Sequence, residues 1–150
     1  METALMRCLF DTNIIVYANN LDSPFHEPCR KLLDDALNGR ITAYIAHQNL
    51  LEMYAVVTDK RRVGNPLTPE SANSLINFYL SARNITVLYP SPATFSVLGN
   101  LIANHSPISH GIFDLVLVAL MIENGITTIH TANTRHFTNF KEITALAPCL

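Results

Sequence analysis

The sequence has no excess of positive charge, no paired cysteines and no apolar run long enough to cross a bilayer. Lysine and arginine total 10 against 12 aspartates and glutamates, for a net charge of −2. The overall basic footprint that usually marks a nucleic-acid binder is therefore missing, which leaves only local basic clusters. Cys8, Cys29 and Cys149 are odd in number and scattered, with no C-x-x-C spacing. They read as free thiols of a reducing compartment, not as a disulfide framework or a zinc site. The first residues lack a basic start followed by an apolar core, so no secretory signal is read. The longest apolar stretch, 112–122, falls far short of the roughly 20 residues of a membrane helix. A cytoplasmic protein is expected. G-x-x-x-x-G-K-[ST], G-x-G-x-x-G and G-x-S-x-G are all absent, which removes support for nucleotide binding and for a serine-hydrolase elbow.

What is present is a chain of 150 residues, 49% hydrophobic and 15% charged, enough for one domain with a sizeable core. Residues 1–6 read as a short leader, and 1–150 as a single domain. Residues 7–10 predict a strand, and 13–20 a helix directly after it. Ser23 is the expected N-cap of the next helix, with Pro24 at its first position. Cys29, Leu32, Leu33, Ala36 and Leu37 recur at helical spacing until Gly39 ends the run. A strand over 41–46 and a helix over 48–58 follow, the latter holding Leu50, Leu51, Tyr54 and Val57. Thr68 and Pro69 start a helix with Ala72, Leu75, Ile76, Tyr79 and Leu80 on one stripe. A strand is expected over 86–89. Ser91-Pro92 then opens a helix with Phe95, Leu98, Leu101 and Ile102 together. The helix 112–123 is apolar nearly all round and should be central. The strand 127–131, a loop over 132–137 and an edge strand in the last residues complete the pattern. Alternating strands and helices predict a three-layer α/β sandwich with a mostly parallel sheet of four to five strands.

Three acids stand in apolar surroundings. Asp11 closes the first strand, and in open parallel sheets that edge is where ligands bind. Glu52 lies within Leu50-Leu51-Glu52-Met53-Tyr54, and Asp114 within Ile112-Phe113-Asp114-Leu115-Val116. A charge among apolar residues is costly unless paired or bound to metal, and no nearby lysine or arginine suggests itself for Glu52 or Asp114. Each has a plainer reading: a cap for Asp11, an exposed helix position for Glu52, a favourable helix dipole for Asp114. Taken together they predict one anionic pocket at the rim of the sheet. Oxygen ligands without cysteine favour Mg²⁺ or Mn²⁺. Such ions activate water and neutralise charge in phosphoryl transfer, singly or as a pair about 3.5–4 Å apart.

Asp11-Thr12-Asn13 after a strand, Glu52 in an early helix, Asp114 opening a late one, and Thr131-Ala132-Asn133-Thr134-Arg135-His136-Phe137 after a late strand resemble a PIN-domain nuclease. The length and layout resemble the VapC-type toxins of toxin–antitoxin pairs. The resemblance implies Mg²⁺- or Mn²⁺-dependent cleavage of RNA, a homodimer and inhibition by a cognate antitoxin. It implies Asp11, Glu52 and Asp114 as catalytic metal-binding acids and Asn133 as a weaker ligand. Thr131 matches a hydroxyl supporting the acidic cluster, and Thr12 and Asn13 complete the supporting set. His136 departs from the pattern, because related sequences often carry an acid before that Phe. This leaves a second ion in question, and the His could meet phosphate instead. Lys60, Arg61, Arg62 and Arg135 are the expected contacts to an RNA backbone; a solvated charged turn is the plainer reading of the first three.

Two other classes put Asp after a first strand. Haloacid-dehalogenase-like phosphatases need an acid where Asn13 stands. Response-regulator receivers need an early acidic pair and a late lysine after a strand. A catalytically silent PIN-like module that binds RNA or protein is the remaining alternative. It is separated from an enzyme by whether the three acids share one pocket.

Overall fold

A computed structural model of the chain describes residues 4–148. Strands β1 (Arg7–Phe10), β2 (Thr42–Ala46), β3 (Ile85–Leu88), β4 (Thr128–His130) and β5 (Thr144–Leu146) form one sheet in the order β3-β2-β1-β4-β5. Every pairing is parallel, so the sheet reaches the upper expected strand number. Parallel neighbours need long crossovers, and helices supply most of them. Helices α1 (Thr12–Ala18) and α2 (His26–Leu37) join β1 to β2. Helices α3 (His47–Val57) and α4 (Pro69–Ser81) join β2 to β3. Helices α5 (Pro92–His105) and α6 (Gly111–Glu123) carry the chain back across the sheet to β4, and a 3-10 turn (Thr134–Phe137) precedes β5.

Side-chain alternation along the strands divides the interior into two cores. Cys8, Phe10, Ala43 and Ile45 pack with Ile14, Ile15, Leu33 and Met53. Leu9, Ala46 and Ile129 face the other way, against Leu115, Val118 and Leu120. The sheet is thus covered on both faces, which makes the three layers. β1 lies at its centre with β2 on one side and β4 on the other. The crossovers run away from β1 in both directions, which makes the β1–β4 boundary a topological switch point.

Several local expectations are corrected. Helix α2 starts at His26 with Phe25 in the N-cap position. Ser23 instead accepts the Phe25 N–H at 3.1 Å, so Ser23-Pro24 forms the preceding turn. The expected loop at 132–137 contains the 3-10 turn. Leu51, Leu80, Phe95 and Ile102, placed by spacing on apolar stripes, are exposed, as is Phe113 on the apolar helix α6. Periodicity identifies an apolar face, but only a neighbouring element buries it. Cys8 and Cys29 are free and buried. Cys149 and the first three leader residues lie outside the described residues. No described helix is long and apolar enough to cross a membrane.

Candidate active site

β1 ends at Phe10 and the chain turns directly into α1. Asp11 occupies that turn as an N-cap, and its Oδ1 accepts the Thr12 N–H at 2.8 Å. Its own N–H donates to the His130 carbonyl at 3.0 Å, tying the end of β1 to the end of β4. Its Oδ2 accepts from the Thr131 hydroxyl at 2.7 Å. The capping role therefore coexists with a place in the site, because a carboxylate has lone pairs enough for both.

Glu52 rises from the second turn of α3, and its Oε2 accepts from the Thr12 hydroxyl at 2.7 Å. Asp114 stands in the first turn of α6, with Oδ2 3.4 Å from His136 Nδ1. All three acids line one groove of about 950 Å³, together with Thr12, Asn13, Asn133 and His136. The partners absent from the sequence reading of Glu52 and Asp114 are thus a hydroxyl and an imidazole, neither of which supplies a permanent positive charge.

The electrostatics follow from this arrangement. Glu52 is exposed as a whole residue, but the carboxylate turned into the groove is partly desolvated, which raises it above the usual carboxylate range; the Thr12 bond draws it back, and the charges of Asp11 and Asp114 push it up again. Burial also raises Asp114, with His136 opposing and Asp11 adding to the rise. Among the described residues, neither acid forms an ion pair with a lysine or arginine. Arg62 and Arg135 lie on the lining of the same groove but pair with neither acid.

The supporting residues close around Thr131, which is fully buried. Its hydroxyl accepts the Asn133 N–H at 3.0 Å and lies 3.5 Å from Asn13 Nδ2. Asn13 Oδ1 in turn accepts the Ala132 N–H at 2.9 Å. The basic residues separate into two groups. Arg62 and Arg135 line the groove. Arg61 is turned onto Asp59 within its own loop, with Nη2 3.0 Å from Oδ2, and Lys60 is exposed away from the groove lining.

One contributor escaped the sequence reading. Asn49, fully buried in the first turn of α3, donates from Nδ2 to Thr12 Oγ1 at 3.0 Å. It shares a helix face with Glu52, three residues on. The available signal was an asparagine at the third position of a helix, since asparagine competes with the helix unless it caps something.

Carboxylate and amide oxygens are the donors that hard divalent cations prefer. The acids are nevertheless not drawn into a closed cage. Among the described residues, no three His, Cys, Asp or Glu side chains form a ready-made metal cluster. Like charges without a cation hold apart, and Mg²⁺ in any case retains several waters and takes one or two carboxylates. The donor set fits a hydrated hard cation and does not fit a dehydrated structural site.

A parallel sheet whose switch point opens on carboxylates, hydroxyls and amides defines a three-layer α/β protein with an acidic hard-oxygen groove. The PIN domain family model matches residues 8–143. "Ribonuclease VapC48" of Mycobacterium tuberculosis is 30% identical over 134 residues, 89% of this chain and 92% of that protein. "Ribonuclease VapC37" of the same species is 26% identical, over 77% of this chain and 81% of its own length. Among solved structures, DNA-bound VapBC from Salmonella typhimurium matches with a TM-score of 0.69 at 18% identity, covering 97% of this chain and 100% of that one. VapBC2 from Rickettsia felis, bound to a promoter DNA fragment, has a TM-score of 0.67 at 21% identity, covering 95% and 98%. The structural likenesses speak for the fold. The chain belongs to the PIN-domain family, in its VapC ribonuclease branch.

Proposed function

We propose that this VapC-type PIN domain is an Mg²⁺- or Mn²⁺-dependent endoribonuclease that hydrolyses RNA phosphodiester bonds at the Asp11–Glu52–Asp114 groove. The observation that carries this reading is the shared groove itself: three carboxylates, two of them raised by desolvation and by their acidic neighbours, with no lysine or arginine among the described residues paired to Glu52 or Asp114. Asp11, Glu52 and Asp114 would hold the cation, with Asn133 as a weaker oxygen ligand. When bound, the ion supplies Lewis-acid activation of water and neutralisation of charge at phosphorus. Thr12 and Thr131 fix Glu52 and Asp11 through their hydroxyls. Arg62 and Arg135 stand where a phosphate backbone would enter, and they position it without reading sequence. His136 stays with Asp114 until phosphate competes for it.

Water as nucleophile leaves 5′-phosphate and 3′-hydroxyl ends. The test is incubation of cellular RNA with Mg²⁺, Mn²⁺ or EDTA, followed by end mapping. Cleavage is expected with either ion and not with EDTA; 2′,3′-cyclic phosphate ends would refute the mechanism. Asp11→Asn should remove most cleavage while leaving the fold intact by circular dichroism, and undiminished activity in that variant would overturn the site assignment.

A cytoplasmic toxin of a VapBC-like pair is the setting this reading implies. The cognate antitoxin would place a basic side chain among the unpaired carboxylates. A homodimer is supported by an apolar groove of about 610 Å³ that adjoins the acidic one and is flanked by the exposed Leu51, Phe95 and Phe113. Large exposed apolar patches usually mark protein contacts.

A further inference from the structure

We propose that Asn49 is a positioning residue of the nuclease site, setting the direction of the hydrogen-bond relay that aims the Thr12 hydroxyl at Glu52. The consequence for catalysis rests on the nuclease reading; the relay itself rests on geometry alone.

The relay has a single allowed polarity. Asn49 Oδ1 accepts the Ala46 N–H at 3.0 Å. A backbone N–H can only donate, so the oxygen of the amide must face it and Nδ2 must face away. Nδ2 then donates to Thr12 Oγ1 at 3.0 Å. A hydroxyl that is accepting from an amide still has one proton to give, and it gives it to Glu52 Oε2 at 2.7 Å. The same amide nitrogen reaches to 3.5 Å from Asp11 Oδ1. One side chain therefore joins the start of α3, the start of α1 and two of the three acids.

A second relay repeats this logic on the other side of Asp11. Asn13 Oδ1 accepts the Ala132 N–H at 2.9 Å, its Nδ2 faces Thr131 Oγ1 at 3.5 Å, and Thr131 donates to Asp11 Oδ2 at 2.7 Å. Backbone N–H, asparagine, threonine and carboxylate recur in the same order. Asn49 is to Thr12 and Glu52 what Asn13 is to Thr131 and Asp11. Its burial gives water no route to replace it, since Asn49 is wholly inaccessible.

Asn49→Asp separates capping from donation. Ionised aspartate keeps an oxygen for the Ala46 N–H and suits a helix N-terminus, but it has no proton to give Thr12; burial beside Asp11 favours the protonated acid, so the comparison is made at alkaline pH, where the carboxylate is ionised. The Thr12 hydroxyl then turns toward residue 49 and releases Glu52. A crystal structure of Asn49→Asp is expected to retain the α3 start and lose the 2.7 Å Thr12–Glu52 contact. Persistence of that contact overturns the proposal, whether or not the protein cleaves RNA. In cleavage assays kcat should fall about 10- to 100-fold, the usual effect of losing an outer-shell partner, with KM for RNA little changed. Because Asn49 acts through Thr12, the kcat losses of Asn49→Asp and Thr12→Val should not multiply in the double variant. Multiplying losses, or an unchanged kcat in Asn49→Asp, would overturn the positioning role. An inactive wild-type protein would instead refute the nuclease reading and leave the crystallographic result to decide the relay. Should Asn49→Asp fail to fold, Asn49→Ser supplies the same cycle with a smaller capping group.

Discussion

Thr131→Val tests whether the Asp11 carboxylate is held by its threonine or merely lies beside it. Thr131 is fully buried, its hydroxyl donates to Asp11 Oδ2 at 2.7 Å and it accepts the Asn133 N–H at 3.0 Å. Valine keeps the shape and removes both bonds, together with the longer 3.5 Å contact from Asn13 Nδ2, whose half-buried amide can turn to water. A hydrogen bond to a charged acceptor contributes about 1.5–3 kcal/mol. Asn133 is exposed, so water can take over its N–H and little is added there. The expected loss is therefore about 1.5–3 kcal/mol, which for a domain of this size lowers Tm by roughly 3–12 °C. Urea unfolding monitored by circular dichroism measures it directly. The mechanism is tested by repeating the substitution in Asp11→Asn. With the acceptor neutral, the bond is worth about 0.5–1.5 kcal/mol, so the two changes should couple by about 1 kcal/mol or more. A cost below about 0.5 kcal/mol for Thr131→Val, or the same cost in both backgrounds, would refute the argument that charge on Asp11 is what Thr131 holds.

The raised Glu52 and Asp114 make the metal-free fold pH-sensitive. The folded state binds their protons more tightly than the unfolded chain, so their contribution to stability falls as pH rises through the window that begins at 4.5 for Glu52 and 3.8 for Asp114. Asp35 and Asp59, lowered chiefly by hydrogen bonds from Lys31 and Arg61 respectively, tilt the opposite way; the diagnostic quantity is the difference between wild type and Glu52→Gln. That variant should be the more stable of the two at pH 7 in EDTA, and equal or lower stability would contradict the burial argument. Burial pushes Cys8 up to about 12 and Cys29 up to about 11, so both stay protonated at pH 8. Mass spectrometry after alkylation should find them modified only once urea unfolds the chain; rapid labelling of either in the native protein would be inconsistent with the fold. Phe95→Glu places a charge on a side chain that is 70% exposed. If the proposed homodimer forms through this groove, the variant should be lighter than wild type in light scattering without a lower Tm, and an unchanged mass would refute the groove as a dimer surface.

The strands were legible because buried parallel strands are short apolar runs, and the runs ending at Phe10 and Ala46 are both followed at once by a helix. Helix ends were legible where chemistry forces them. Gly39 takes a positive φ angle of 71°, and Thr68 caps α4 through the Ser71 N–H at 3.1 Å. Ser23-Pro24 misled because serine before proline suits both a helix start and a turn, and the choice depends on where the following backbone packs. Leu51, Phe95 and Phe113 show the other limit. Their spacing reveals an apolar helix face, yet a face awaiting a partner and a face buried in the core have the same period.

The site was legible through its charges and illegible through its amides. Asp11, Glu52 and Asp114 could be singled out because an acid among leucines, isoleucines and valines demands an explanation. Asn49 makes no such demand, being neutral and tolerated near helix starts. What distinguishes it is a relation that sequence does not contain: the Ala46 N–H fixes its amide, and the fold carries Thr12 to within 3.0 Å of the freed nitrogen. Asn13 was noticed only because it follows Asp11-Thr12, although it performs the same operation on Thr131. The acids divide labour accordingly. Asp11 and Glu52 are held by buried hydroxyls whose proton direction is set by asparagine. Among the described residues, Asp114 is held only by His136, whose side chain is 46% exposed. Asp114 is therefore the acid freest to reorganise when a cation or a phosphate enters the groove, and Asp11 and Glu52 form the fixed frame against which it moves.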